Sequence, residues 1–304
     1  MRMLLFGKNG QIGWELQRSL QSLGELVSLG KDGADFTRPD SLRSIVIDVK
    51  PDVIINAAAY TDVDGAEEEV ELAEKVNSIS PSIIAQAAKE IGSLFIHYST
   101  DYVFSGNNNR PYIETDVPSP LGVYGRSKLL GEQFIASSGC DYLIFRVSWV
   151  YSSRRRNFLS TILNLSHGGR VMRIVSDQLG TPTSARLVAD VTALCLQTAV
   201  MRRRQREFNS GLFHLAAGGC VSRYDFAVLV VKLLKEAGWG GLKVKEVEPV
   251  QTSEFPMLAK RPRNSCLCTD KLKREYLIAM PSWCDALEMC LADSFSSGFI
   301  DSSW

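Results

Sequence analysis

Three observations predict an α/β protein with a doubly wound parallel sheet and a smaller second lobe. Short apolar runs alternate with amphipathic stretches through the first half of the chain, as successive βαβ units require. The runs are almost continuously hydrophobic, which suits strands covered by helices on both faces. A glycine-rich turn from Gly7 to Gly13 joins the first run to the first helical stretch, the place where such a sheet receives a dinucleotide phosphate. Together they specify a Rossmann-type sheet, with a smaller α/β substrate lobe built from the C-terminal part.

The elements follow in order. Residues 3–6 form the first strand, and Ile12, Leu16, Leu20 and Leu23 give helical spacing over 11–23. Glu25–Leu29 is the second strand, and Pro39–Val49 is a helix with proline in its first turn, where a missing N–H costs little. Residues 52–56 are the third strand. A helix over 81–91 follows, capped by Ser80. Strands at 94–98 and 142–150 flank a helix within 120–137. Beyond 150 the rhythm loosens into helices at 157–166, 185–200 and 224–237, with strands at Val171–Val175 and 212–215. A proline-marked segment, 249–262, precedes helices at 269–276 and 282–295. Residues 1–150, with segments near 185–217, are read as the dinucleotide-binding domain; 151–184 and 218–304 are read as the substrate-binding lobe.

Bulk composition narrows the partners. The chain has 304 residues, 34 basic and 34 acidic, for a formal net charge of +0, so no charge excess points to nucleic acid or an anionic membrane. The basic runs at Arg154–Arg156 and Arg202–Arg206 read as solvated loop or helix ends. No apolar run approaches the ~18 residues of a membrane span, and the apolar start stops at Gly7, too early for a secretory leader. Seven scattered cysteines read as thiols, not a disulfide framework or zinc site, and place the chain in a reducing cytoplasm.

Chemistry concentrates at the strand ends. Gly7, Gly10 and Gly13 let the backbone approach a pyrophosphate. Their G-x-x-G-x-x-G spacing departs from G-x-G-x-x-G. Lys31, Asp32 and Asp35 stand where a 2′-phosphate or a ribose hydroxyl is read, leaving NADPH and NADH both open. Tyr124 and Lys128 are Y-x-x-x-K, on one face of a helix. The ammonium is expected to lower the phenol from its ordinary ~10, so that Tyr124 exchanges a proton with a carbonyl oxygen. Thr100 ends the fourth strand and offers a hydroxyl to the same oxygen. Asn56-Ala57-Ala58-Ala59 ends the third strand in small residues that leave room for the cofactor.

With these motifs in place, the chain resembles the dTDP-4-dehydrorhamnose reductase family of the extended short-chain dehydrogenases. The matching stretches are Gly7 to Gly13, PDVIINAAAYTDVD at 51–64, HYSTDYVF at 97–104, ETD at 114–116, PLGVYG at 120–125, FRVSWVY at 145–151, DQLGTPT at 177–183 and RPRNS at 261–265. The resemblance implies hydride delivery from NADPH or NADH to C4 of dTDP-6-deoxy-L-lyxo-4-hexulose, giving dTDP-L-rhamnose, with Thr100, Tyr124 and Lys128 as the catalytic set. It implies cofactor contacts from Gly7, Asn9, Gly10, Gln11, Ile12, Gly13, Asp35, Phe36, Ala57, Ala58, Ala59, Tyr60 and Ser99, joined by Tyr124 and Lys128. It implies substrate contacts from Thr100, Asp101, Tyr102, Trp149, Arg261 and Asn264. Read from the residues alone, Trp149 is either a stacking surface or a core anchor, and Arg261 either a diphosphate ligand or a surface residue.

Some bacterial members join acidic residues through Mg2+ into a dimer. Here Glu15 keeps the first acidic position, but Arg186 takes the later one and repels a cation, so a monomer or weak homodimer is expected. Two other readings stand beside reduction: a non-catalytic dinucleotide-binding regulatory subunit, and a nucleotide-sugar epimerase of the same fold.

Overall fold

In the computed structural model the described residues are 1–296, with side chains to 293; residues 297–304, the end of the expected substrate lobe, lie outside them. The first half runs β1 (Arg2–Phe6), α1 (Gln11–Leu20), β2 (Glu25–Leu29), α2 (Pro39–Val49), β3 (Val53–Asn56), α3 (Gly65–Glu68), α4 (Val70–Glu74), α5 (Ser80–Ile91), β4 (Leu94–Thr100), α6 (Val123–Ser137) and β5 (Asp141–Val147). The second half runs β6 (Val150–Tyr151), α7 (Phe158–Gly168), β7 (Val171–Val175), β8 (Leu179–Gly180), β9 (Thr183–Ser184), α8 (Ala185–Gln205), β10 (Gly211–His214), β11 (Val221–Ser222), α9 (Arg223–Glu236), β12 (Glu246–Val250), α10 (Asp270–Tyr276) and α11 (Trp283–Ser296).

Six strands form one parallel sheet in the order β10-β5-β4-β3-β1-β2. Alternate residues enter different cores. Met3, Leu5, Val53, Ile55, Leu94, Ile96, Leu143 and Phe145 meet α1 and α8. Leu4, Phe6, Ile54, Phe95 and Ile144 meet α2 and α5. Both faces are therefore dry, which is why the strands read as unbroken apolar runs. β1 has β2 on one side and β3 on the other. The connections diverge there, so the carboxyl ends of β1 and β3 open the crevice where ligands bind in such sheets.

The smaller lobe has its own core of Tyr151, Leu159, Ile162, Met172, Ile174, Phe226, Val230, Leu234 and Leu287, from α7, α9, α11 and the parallel pair β7–β12. Leu272 and Tyr276 of α10, within the stretch 218–304 expected in the small lobe, pack into the core of the large sheet.

Three local expectations change. Ser80 is not a cap: α4 continues through a π-helical turn, Lys75–Ile79, into α5, and the Ser80 hydroxyl donates to the Phe36 carbonyl at 2.7 Å. The wider turn accommodates Pro81, which has no N–H to give. β5 stops at Val147 rather than 150, because Trp149 adopts a left-handed φ of 43° that a strand does not contain. The all-thiol reading fails at Cys220 and Cys266, which form a disulfide with Cα atoms 5.7 Å apart. Their separation of 46 residues hides the pair from the sequence. Antiparallel β8–β11 pairing and a bridge from Leu179 to Asn264 bring them together.

Candidate functional site

The phosphate turn is tight for steric reasons. Gly7 has φ +83°, and a Cβ there would stand 2.6 Å from the Ala58 nitrogen; one on Gly13 would stand 2.1 Å from the Gly7 carbonyl oxygen. Only hydrogen at these positions lets β1, the turn and the end of β3 close together. α1 starts at Gly10 with no capping side chain, so no side chain takes up its first-turn amides, the arrangement that suits an anion. Asn9 reaches across to Gly30 at the end of β2, and its carbonyl accepts from Arg155 Nε at 2.9 Å. Arg154 lies over the Trp14 ring at 3.7 Å, so the arginine run borders the turn while staying exposed to solvent. In the other run Arg202 pairs with Glu275 and Arg203 with Asp141, while Arg204 and Arg206 are exposed.

The expected cofactor residues divide into two groups. Ala57, Ala58, Ala59 and Tyr60 follow β3 directly beside the glycine turn, and the Asn56 carboxamide holds the Ala58 amide at 3.0 Å. The Tyr60 hydroxyl donates to Glu69, which pushes the phenol up to about 12. Ser99, at the end of β4, is buried and its hydroxyl has no partner among the described residues. The remaining residues are engaged elsewhere. Gln11 Oε1 accepts from Ser152 and Asn157, both at 2.9 Å, which fastens the turn to the small lobe. Ile12 packs on the main core. Phe36 packs edge-on against Phe6. Asp35 caps Thr37, whose amide and hydroxyl hold its carboxyl below the ordinary range. The uncapped turn, the small residues after β3 and the orphaned Ser99 hydroxyl fit a dinucleotide.

One strand further, α6 sets Tyr124 against Thr100 and Lys128 against the Tyr98 carbonyl. Gly125 lets α6 approach the Tyr102 carbonyl, and Gly131 lets it lie on the π-helical turn at Asn77. That turn also receives α6 through Asn77 Nδ2 donating to the Ser127 hydroxyl at 3.0 Å. The Thr100 hydroxyl hydrogen-bonds Tyr124, accepts from the Tyr102 amide at 3.2 Å, and donates to Asp101 Oδ1 at 3.1 Å. Burial pushes the Tyr124 phenol up, the Thr100 hydrogen bond opposes this, and Asp101 and Tyr102 add to the rise. The expected lowering by Lys128 is not what governs the phenol. Lys128 is itself brought down to about 8 by burial, and its Nζ donates to the Tyr98 carbonyl at 2.6 Å.

On the substrate side, Tyr102 stacks edge-on with Tyr124, centroids 5.8 Å apart. Asp101 sits behind Thr100, 2% exposed, accepting from Ser148 at 2.9 Å, and burial raises it to about 6. The Trp149 indole lies on Gly180, and Arg223 lies 4.2 Å over its ring. A bulky residue at positive φ marks a place where the surroundings impose a conformation. Arg261 directs its fork at Asp64, at 2.7 and 2.6 Å, so its charge is already met within the protein. Asn264 donates to the Asn108 and Arg110 carbonyls and accepts from the Cys266 amide, tying loops together.

Arg223 is the residue that sequence reading missed. It hydrogen-bonds Tyr102 and, with Arg261, opposes the rise of that phenol. It opens α9 in the C-terminal half with no motif around it, and its contacts with Gln178 at 3.0 Å and with the Trp149 ring bring it to the cleft.

Glu15 does not fit a metal. Its carboxylate pairs with Arg18 at 3.2 Å and Arg186 at 3.6 Å, and Arg186 also pairs with Asp293. Among the described residues no group of three or more His, Cys, Asp or Glu is placed to hold a metal ion, and no helix is long and apolar enough to cross a membrane.

Comparison with known proteins agrees with this geometry. Residues 1–295 match the family described as RmlD substrate binding domain. A dTDP-4-dehydrorhamnose reductase of Burkholderia thailandensis is 46% identical over 297 residues, 97% of this chain and 100% of the relative. That of Escherichia coli K12 is 41% identical over 301 residues, 98% of this chain and 99% of the relative. The crystal structure of dTDP-4-dehydrorhamnose reductase from Bacillus anthracis in complex with NADP superposes with a TM-score of 0.87 at 32% identity, covering 96% of this chain and 99% of that one. The chain belongs to the dTDP-4-dehydrorhamnose reductase family.

Proposed function

We propose that this protein reduces the C4 ketone of dTDP-6-deoxy-L-lyxo-4-hexulose to dTDP-L-rhamnose, with NADPH or NADH as reductant. The observation that carries the reading is the carboxyl end of β4, where the Tyr124 phenol meets the Thr100 hydroxyl and Lys128 reaches the Tyr98 carbonyl, beside the unpartnered Ser99 hydroxyl. Family membership supplies the substrate class. Bound nicotinamide supplies the hydride. The chain's residues supply everything else. The amides behind Gly7, Gly10 and Gly13 hold the pyrophosphate, and Lys128 holds the adjoining ribose. Tyr124 gives its phenolic proton to the C4 oxygen, and Thr100 hydrogen-bonds that oxygen as charge develops. Burial favours this direction, because a phenol held above its ordinary value keeps its proton until an alkoxide forms. Tyr102, Trp149 and Arg223 enclose the deoxysugar, and the protein acts as a monomer or weak homodimer.

The test follows nicotinamide absorbance with the keto sugar generated in situ, using each cofactor in turn. Absorbance loss coupled to dTDP-L-rhamnose formation is the expected result. Cofactor binding without turnover overturns the reading in favour of a dinucleotide-binding subunit, and sugar interconversion without net cofactor oxidation overturns it in favour of an epimerase.

A further inference from the structure

Lys128 is approached by a chain of buried groups that the proposed reaction leaves unused. The Ala58 amide donates to Asn56 Oδ1 at 3.0 Å, which settles the end of that carboxamide that is oxygen. The other end, Nδ2, lies 3.1 Å from His97 Nδ1. An amide nitrogen only donates, so His97 Nδ1 accepts and carries no hydrogen. The hydrogen of the neutral ring is therefore on Nε2, 3.2 Å from Lys128 Nζ. An ammonium has three hydrogens and no lone pair, so facing Nε2–H it would set donor against donor. An uncharged amine satisfies every contact, with its lone pair taking Nε2–H and a hydrogen going to the Tyr98 carbonyl at 2.6 Å. Asn56, His97 and Lys128 are 1%, 0% and 2% exposed, so water does not relieve a mismatch.

We propose that Asn56 and His97 are positioning residues that fix the tautomer facing Lys128 and thereby weaken its hold on its proton, favouring the uncharged amine. The inference rests on the reductase reading only for its catalytic consequence. The surrounding charges do not reverse it. Glu132, one turn along α6, favours the ammonium, but Arg146 on β5 takes both its oxygens at 2.9 and 2.6 Å. Asp101 and Tyr124, at the other end of the strip, are both raised by burial and so lean toward their neutral forms. Burial, with the charge of Lys128 adding to it, holds His97 well below the ordinary imidazole value, so the ring does not become a cation in response.

Asn56→Asp reverses the network while keeping its shape. A carboxylate accepts both from the Ala58 amide and from His97 Nδ1–H, which leaves Nε2 as an acceptor suited to an ammonium. Two-bond 1H–15N spectra of the full-length protein read the tautomer directly, with only His167 and His214 as further signals. Native His97 should carry its proton on Nε2 and move it to Nδ1 in Asn56→Asp; Nδ1–H in the native protein overturns the proposal. The kcat/KM pH profile should move its Lys128-dependent limb alkaline by about one pH unit in Asn56→Asp, a ~10-fold change in proton affinity. An unmoved limb overturns it too. Should Asn56→Asp fail to fold, the native spectrum decides alone. An inactive protein with Nε2–H sinks the reductase reading and leaves this inference standing; an active one with Nδ1–H does the reverse.

Discussion

The carboxyl end of β4 and the segment from Arg261 to Cys266 both border the cleft, and they use their polar groups in opposite ways. At β4 the groups converge with capacity left over: Ser99 has no partner, Thr100 faces Tyr124, and Lys128 ends a chain of directed contacts. Along 261–266 the polar groups that face the interior are taken. Arg261 is neutralised by Asp64, Asn264 ties three backbone groups, and Cys266 is bonded to Cys220. Buried polar groups with unused valence are uncommon, because each lacks the bond that offsets its desolvation. The unpartnered Ser99 hydroxyl beside Thr100 at this strand end is therefore read as part of a surface for reaction. The saturated segment, although it carries the equally distinctive RPRNS motif, is read as scaffold.

Four perturbations separate these roles. The largest effect is expected from Tyr124→Phe, which should lower turnover by at least ~10²-fold, the scale of a lost general acid, without moving the thermal midpoint. Near-native turnover would remove β4 from the chemistry. Glu132→Gln strips the carboxylate from a pair whose side chains are 5% and 3% exposed and leaves Arg146 unpaired. Urea unfolding should register a loss of about 3–5 kcal/mol. A loss below ~1 kcal/mol would show that Arg146 finds other partners. Next, Cys220→Ser should cost about 2–4 kcal/mol by opening the cross-link, with a smaller effect on kcat than Tyr124→Phe. If stability held and kcat collapsed, the scaffold reading of 261–266 would be wrong.

The smallest effect concerns Asp101. Its carboxyl is raised from 3.8 to about 6, so the native state binds this proton more tightly than the unfolded chain. The sign follows from linkage: stability from this group is present at low pH and declines as pH rises from about 4 to about 6. Relative to Asp101→Asn, the native protein should therefore lose on the order of 1–2 kcal/mol across that window in denaturant titrations. Parallel pH dependences for the two proteins would mean that Asp101 ionises without hindrance.

Features written within a few residues were legible from the chain alone. β2, α2 and β7 fall where apolar runs and Pro39 place them. Tyr124 and Lys128 share a helix face because four residues are about one turn. The short elements were not legible. β6, β8, β9 and β11 have two residues each, too few for any periodicity. The π-helical turn was hidden because Ser80-Pro81 has the appearance of a helix start.

The sequence by itself determined the parallel sheet, the glycine turn and the shared helix face of Tyr124 and Lys128, since each depends on residue spacing and on the backbone geometry that spacing imposes. Tertiary structure alone decided the partners. Arg223 arrives at Trp149, Asp64 neutralises Arg261, Cys220 meets Cys266, and His97 stands between Asn56 and Lys128. Such pairings depend on which buried donor faces which acceptor once water is excluded, and that is settled by packing between distant segments, not by neighbours along the chain.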